Sequence, residues 1–215
     1  MLTALDERPV ETEHGRPLWL YGVMQPGGKS VIDTIGWFPG PLQSGPAAEA
    51  KAFVQASPNT LFAAGSTHLY IGDSQTYEIG QYDMRGELLR RIRRIAERVP
   101  VNALDREFAL DWLEARPPPN GGADVVFAPS HPAYSQLLVD AQDRLWVHEA
   151  PRDPKRQYQN WAVYDTAGTL LRDVVLPFGF DQVRAIGTDR VLSRSANDLL
   201  IPVLRVHRLA DQHMH

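Results

Sequence analysis

The sequence contains no cysteine among its 215 residues. This absence excludes disulfide frameworks, thiolate zinc sites and cysteine nucleophiles. Cytosolic and exported proteins can both lack cysteine, so the composition leaves the compartment open.

Long apolar runs are also missing from the sequence. Residues 1–15 carry four acidic side chains and no apolar segment of the kind found at the centre of a signal peptide. No later run approaches the roughly 20 apolar residues that a membrane-spanning helix needs. We therefore predict that this chain has no signal peptide and no membrane span.

The sequence has no excess of positive charge, since 22 basic residues face 26 acidic ones and the net charge is −4. Without a broad basic field we predict no nucleic-acid partner. The local exception is a run of arginines at Arg90, Arg91, Arg93 and Arg94. The run is compatible with a phosphate-binding patch, but a charged edge strand is favoured, because charged edges protect sheets from aggregation.

The sequence is rich in short strand-like runs separated by glycine, proline and aspartate turns. The first two runs, Leu18–Met24 and Ser30–Ile35, predict a hairpin, and a loop follows from Pro39 to about Ala50. Three sets of four predicted strands follow: Leu61–Ala64, His68–Gly72, Tyr77–Tyr82 and Leu88–Ile92; Gln136–Asp140, Arg144–Glu149, Trp161–Tyr164 and Leu170–Leu176; and Val183–Ile186, Arg190–Ser193, Leu199–Ile201 and Val203–Leu209.

Two of these sets share the motif Tyr-Asp-x-x-Gly-x-Leu-Leu-Arg, which begins at Tyr82 and again at Tyr164, an offset of 82 residues. A four-stranded propeller blade spans roughly 40 to 50 residues. The offset therefore corresponds either to two ordinary blades or to one blade plus an insertion.

A predicted helix at 103–115 favours the insertion. Asn102 can cap the helix, and its apolar face would comprise Leu104, Phe108 and Trp112 at a spacing of four. Three prolines from Pro117 onward would end it.

We therefore predict an all-β fold of the β-propeller type, in which four-stranded antiparallel blades form a partial ring of about three to four blades with one inserted helix. A β-sandwich with an inserted helix is the alternative. The predicted organisation is a disordered segment at 1–15, a single domain at 16–209 and a frayed tail at 210–215.

Several segments resemble the C-terminal part of bacterial six-bladed β-propeller proteins of the NHL-like and TolB-like kind. They include Val31–Ile35, Tyr77–Arg93, Leu138–Val147, Trp161–Gly168 and Asp189–Leu209. The resemblance implies an exported or periplasmic protein with further blades. It marks strands and turns, so it assigns no functional residue. A partial ring would leave open blade edges, through which the chain could self-associate.

Four residues at predicted strand ends are the candidate ligand-binding residues: His148, Glu149, Asp73 and Asp140. His148 or Glu149 would face the propeller channel, and aspartates from several blades could supply oxygen ligands to a cation. The competing interpretation of each aspartate is a turn cap that bonds its own backbone.

A hydrolase triad built on Ser130 and His131 is the weaker idea, because no Gly-x-Ser-x-Gly elbow is present. We instead expect His131 at a blade entry.

The predicted function is a non-enzymatic binding module without a cofactor, whose partner would be a protein, peptide or glycan. The alternative is a hydrolase or lactonase of the propeller kind that depends on a divalent cation.

Overall fold

The computed structural model describes residues 2–8, 15–24, 31–44, 52–115, 125–151, 158–177, 182–196 and 201–209. These residues form seventeen strands and one helix. In chain order the elements are β1 (Leu2–Arg8), β2 (Leu18–Met24), β3 (Val31–Pro39), β4 (Gln43–Ser44), β5 (Ala52–Gln55), β6 (Thr60–Ala64), β7 (His68–Asp73), β8 (Glu78–Asp83), β9 (Leu88–Arg93), α1 (Ala103–Ala115), β10 (Val125–Phe127), β11 (Tyr134–Val139), β12 (Leu145–Glu149), β13 (Gln159–Tyr164), β14 (Leu170–Leu176), β15 (Gln182–Ile186), β16 (Arg190–Ala196) and β17 (Pro202–Arg208).

Four antiparallel sheets follow one another along the chain. Sheet 1 contains β1 to β3, sheet 2 contains β6 to β9, sheet 3 contains β11 to β14, and sheet 4 contains β15 to β17. Each sheet joins its strands in sequence order, as a propeller blade does. A separate small sheet has the order β10-β5-β4, with β10 parallel to β5.

The middle strands of sheets 2 and 3 are buried on both faces. Leu145, Trp146 and Val147 are consecutive residues of β12, and all three are fully buried. Because neighbouring side chains on a strand point to opposite faces, this sheet must have a packing partner on each side.

Those packing partners are the neighbouring sheets. One core cluster joins Tyr70 and Ile79 of sheet 2 to Leu145 and Val147 of sheet 3. A second cluster joins sheet 3 to sheet 4; its members include Trp146, Trp161, Val183 and Val191.

The first strands of successive sheets also lie together, β6 beside β11 and β11 beside β15. The described residues therefore form an all-β fold with a partial propeller-like arrangement, and none of their sheets closes into a barrel.

The shared motif forms the same turn in sheets 2 and 3. Asp83 Oδ1 accepts hydrogen bonds from the amides of Arg85 and Glu87, and Asp165 Oδ1 accepts the equivalent pair from Ala167 and Thr169. The glycines of the motif, Gly86 and Gly168, have φ angles of 88° and 76°, which are accessible to glycine at little cost. The motif thus marks the turn between the third and fourth strands of a blade.

The 82-residue offset is one blade plus an insertion, as predicted. The helix occupies the predicted residues, and Asn102 caps it: Asn102 Oδ1 accepts from the amide of Asp105, and Asp105 Oδ2 accepts from the amide of Asn102. Leu104, predicted on the apolar face, is 52% exposed, so that part of the prediction was wrong. Of the side chains at 108 and 112 nothing is described, and the prolines at 117–119 lie outside the described residues.

Other boundaries also need correction. Leu2–Arg8 was predicted to be disordered but forms β1, which pairs antiparallel with β2. Backbone pairing to an available sheet edge here outweighs a locally polar sequence. The loop predicted from Pro39 contains the short strand β4.

The last predicted set of four strands contains three described strands, because residues 199 and 200 lie outside the described part of the chain, as does the predicted frayed tail at 210–215.

Candidate functional site

A cavity of about 430 Å³ lies at the end of sheet 2 where β7 turns into β8. Three segments supply most of its wall: Gln75–Tyr77 from that turn, Ala96–Arg98 after β9, and Ala128–Ala133 before β11. The last two segments are the two ends of the insertion between sheets 2 and 3. The insertion therefore builds the cavity.

Backbone hydrogen bonds fix these walls to one another. The amide of Ala133 donates to the carbonyl of Ser74 at 2.8 Å, which ties the end of the insertion to the β7–β8 turn. Within the insertion, the amide of His131 donates to the carbonyl of Val99 at 2.8 Å. Since the walls are held by the backbone, the cavity is a preformed feature of the fold.

His131 is a nearly buried polar side chain of the cavity wall. Its Nε2 atom lies 2.7 Å from Oδ2 of Asp105, and each of the two side chains is 6% exposed. Asp105 is in the first turn of α1 and also belongs to the helix cap. A carboxylate on one ring nitrogen fixes the orientation of an imidazole. The helix thus fixes the position of His131 within the cavity wall.

Arg16 forms another part of the wall and is almost completely buried. Its guanidinium donates to both carboxylate oxygens of Asp73, each at 2.8 Å, and to Oε1 of Gln75 at 2.7 Å. Its Nε donates to the carbonyl of Gly40 at 2.7 Å. The predicted ligand residue Asp73 therefore lies beside the cavity, where it neutralises a buried arginine.

Tyr77 contributes a buried wall between sheets 2 and 3. Its ring packs edge-to-face on Tyr134 at 5.5 Å, and its hydroxyl oxygen accepts a hydrogen bond from Tyr164 at 3.0 Å. Burial raises the pKa of Tyr77 well above its usual range. The phenol consequently stays neutral, and this part of the wall carries no charge.

His148 and Glu149 are adjacent on β12, so their side chains leave opposite faces of sheet 3. His148 stacks on the ring of Trp161 at 4.8 Å, and its Nδ1 lies 2.8 Å from Oγ of Ser135. Glu149 is nearly buried and forms an ion pair with Arg94 at 2.9 Å. The structure therefore does not bring these two neighbours together at one ligand.

Asp140 lies at the other end of β12, in the turn that joins it to β11. Its carboxylate is fully buried and accepts from Nε of Arg144 at 2.7 Å and from Nε1 of Trp146 at 2.8 Å. Its Oδ1 also accepts from the backbone amides of Gln142 and Arg144. Asp140 has the hydrogen bonds of a turn cap, and it does not converge with Glu149.

The arginine run is engaged in contacts along the outer strand β9. Arg91 and Arg93 form ion pairs with Glu78, and Arg94 also binds Asp173 at 2.7 Å and 3.0 Å. Hydrogen bonding to Asp173, more than any other interaction, raises the pKa of Arg94 above its usual value. These contacts agree with the favoured interpretation of a charged edge strand.

The sequence analysis missed Arg16 and Asp105 as members of the site. Asn102 and Asp105 have the spacing of a helix cap, but nothing local indicates that Asp105 also holds His131, 26 residues away. Similarly, Arg16 and Asp73 are 57 residues apart.

Comparison with protein-family models and with curated proteins found no match to this chain. Within the described residues, α1 is too short and too polar to cross a membrane.

Proposed function

We propose that the chain is a non-enzymatic binding module of the six-bladed propeller type, and that it holds its ligand in the cavity between the β7–β8 turn and the insertion. The observation that supports this proposal is the cavity itself. It has a volume of about 430 Å³, and backbone hydrogen bonds join the segments that supply most of its wall. Its volume falls within the roughly 300–1,000 Å³ of small-ligand sites.

The side chains of the cavity favour a ligand with both polar and apolar groups. Polar contacts are available from the exposed side chains of Gln75 and Thr76, and prolines such as Pro129 and Pro132 offer apolar surface. A short segment of a peptide or a glycan has this mixture of hydrogen-bonding groups and apolar faces. Such a segment is the partner we propose.

The alternative function, a cation-dependent hydrolase, has less support. The described residues include no group of three or more histidines, aspartates and glutamates placed to hold a metal ion. The carboxylates of Asp73, Glu149 and Asp140 are each paired with an arginine. An ion that binds only the folded state raises the Tm. The alternative would therefore be favoured if calcium, magnesium, manganese or zinc raised the Tm of the unsubstituted protein but not that of Asp73→Asn.

Arrays of short peptides and of oligosaccharides, probed with labelled protein, test the proposed function. Thr76→Trp should abolish binding by filling the cavity, because Thr76 is exposed on its wall. The matched control is Thr166→Trp, which adds the same bulk at the exposed β13–β14 turn and should bind like the unsubstituted protein. Ligands that bind all three proteins equally, or arrays without any bound ligand, would contradict the proposal.

A further inference from the structure

The charged side chains that line the cavity fall into two groups. Arg16 and His131 are nearly buried, and each already lies against the carboxylate of an aspartate. Glu97 and Arg98 also line the cavity, but both are exposed, and neither side chain has an ion pair or a hydrogen bond within the described part of the chain. The wall therefore presents one negative and one positive charge that have no partner among the described residues.

The backbone holds these two charges at the cavity. Before them, the amide of Arg94 donates to the carbonyl of Tyr77 at 3.2 Å, and after them the carbonyl of Val99 accepts from the amide of His131 at 2.8 Å. Tyr77 and His131 are themselves wall residues, so the span 95–98 is fixed along the wall at both of its ends. Because neighbouring Cα atoms are about 3.8 Å apart, the two opposite charges leave the wall from almost the same place.

This pair of charges restricts the ligands that complement the wall. A ligand with charge of one sign would meet one unlike and one like charge, and like charges oppose association. The best complement carries an acidic and a basic group close together. A short peptide supplies both when aspartate or glutamate lies near lysine or arginine, whereas most sugar units of a glycan carry neither group. The charges therefore favour a peptide over a glycan.

The uncharged polar groups of the wall suit the backbone of a peptide. Oε1 of Gln75 accepts a hydrogen bond from Arg16 at 2.7 Å, so the amide nitrogen of Gln75 remains available as a donor. The exposed hydroxyl of Thr76, the next residue, can donate or accept. Each peptide unit carries a carbonyl and an N–H group, so a bound segment offers partners of both kinds.

We propose that the cavity binds a peptide segment with an acidic and a basic side chain close together, the acidic one paired with Arg98 and the basic one with Glu97. This inference rests on the proposed function, in which the cavity holds the ligand, and it adds the chemical class and the charge pattern of that ligand. Exposed ion pairs are individually weak and are screened by salt, so these pairs select among peptides more than they add affinity.

Four random-sequence peptide libraries of equal length test the charge pattern. One contains both aspartate and lysine, one contains aspartate without lysine, one contains lysine without aspartate, and one contains neither residue. At low salt, labelled unsubstituted protein should select mainly peptides with both residues, and high salt should weaken their binding. An array of neutral oligosaccharides, probed alongside, should bind less protein.

Exchanging the charges tests the two pairs separately on a selected peptide. Arg98→Glu should weaken binding about three- to tenfold, because repulsion replaces attraction, and a peptide whose acidic residue is changed to lysine should restore it. Glu97→Lys should behave in the same way toward the basic residue of the peptide. Arg85→Glu, which makes the same change at the exposed β8–β9 turn, is the matched control and should bind like the unsubstituted protein.

Circular dichroism checks that each variant is folded. If Arg98→Glu is not, Arg98→Gln replaces it and should weaken binding about two- to fivefold. Selected peptides without charged residues, or equal affinities of the position-98 variant and the unsubstituted protein, would overturn this inference; the proposed function would still stand if Thr76→Trp abolished that binding. If no peptide or oligosaccharide bound at all, the proposed function would fail and this inference with it.

Discussion

Substitution of Asp140 by alanine tests whether this buried carboxylate stabilises the blade or serves as a ligand. The change removes four hydrogen bonds: two from the backbone amides of Gln142 and Arg144, one from Nε of Arg144 and one from Nε1 of Trp146. Trp146 is fully buried, so its indole N–H would be left without an acceptor inside the core.

The expected loss follows from these contacts. A buried donor left unsatisfied costs about 1–3 kcal/mol, and removal of one partner of a buried ion pair costs about 3–5 kcal/mol. Arg144 is 25% exposed and can be partly rehydrated, so its unpaired charge should cost less than the full range for a buried ion pair. Together with the unsatisfied indole donor, we expect a total loss of unfolding free energy of about 3–5 kcal/mol. For a domain of this length, that corresponds to a fall in Tm of roughly 10 °C.

Asp165→Ala is the matched control for Asp140→Ala. Asp165 accepts the same two backbone hydrogen bonds in the β13–β14 turn, but no ion pair or indole contact of this aspartate is found in the described structure. Its loss should cost about 1 kcal/mol.

Urea denaturation followed by tryptophan fluorescence measures both variants. Equal losses for the two aspartates would refute the argument that the indole and guanidinium contacts make Asp140 a structural residue.

Two further predictions concern the interface between sheets 2 and 3. Gly72→Ala should cost about 1–3 kcal/mol in urea denaturation, because its Cβ would lie 2.2 Å from the hydroxyl of the buried Tyr134. Gly187→Ala, whose added Cβ would lie 3.6 Å from the backbone carbonyl oxygen of Arg190, should change stability by less than about 0.5 kcal/mol, and similar losses at both positions would contradict the packing argument. Burial raises the pKa of Tyr77, so the folded chain keeps this phenol protonated at pH values where the unfolded chain loses the proton. The contribution of Tyr77 to stability is therefore complete below the unfolded-state pKa of about 10 and falls as the pH rises further. Tyr77→Phe should therefore reduce the slope of unfolding free energy between pH 10 and pH 11 by up to about 1.4 kcal/mol per pH unit, and an unchanged slope measured by urea denaturation would count against it.

The strands could be predicted because their signals are local. Alternation of polar and apolar residues between turn residues located β6 to β9 and β11 to β14 close to their observed bounds. The motif at Tyr82 and Tyr164 contains the aspartate and the glycine that its turn requires, so it identified equivalent positions in two blades. Helix α1 was similarly predictable from its cap at Asn102.

The strand β1 could not be predicted in the same way. Its pairing with β2 satisfies backbone groups at the edge of sheet 1, and backbone pairing leaves little trace in side-chain composition. The exposed position of Leu104 was missed for a related reason: an apolar spacing of four identifies a helix face, but it does not show whether another element covers that face.

The candidate site was the least predictable feature because its charges are paired over long distances in the sequence. Asp73, Glu149 and Asp140 look alike as acidic residues at strand ends. In the fold, Asp73 pairs with Arg16, 57 residues earlier, and Glu149 pairs with Arg94, 55 residues earlier, whereas Asp140 pairs within its own turn. A carboxylate committed to an arginine has a different role from a free one, and local sequence does not distinguish the two.

The insertion explains why the cavity lies where it does. A chain that passed directly from β9 to β11 would join two blades with a short loop and leave no wall opposite the β7–β8 turn. Here the insertion departs at Ala96–Arg98 and returns at Ala128–Ala133, and both ends line the cavity. Asp105 of α1 then fixes His131 on the returning segment, so the helix contributes to the site without lining it. The repeated sheets therefore supply the scaffold, and the insertion between sheets 2 and 3 supplies most of the wall of the proposed ligand site.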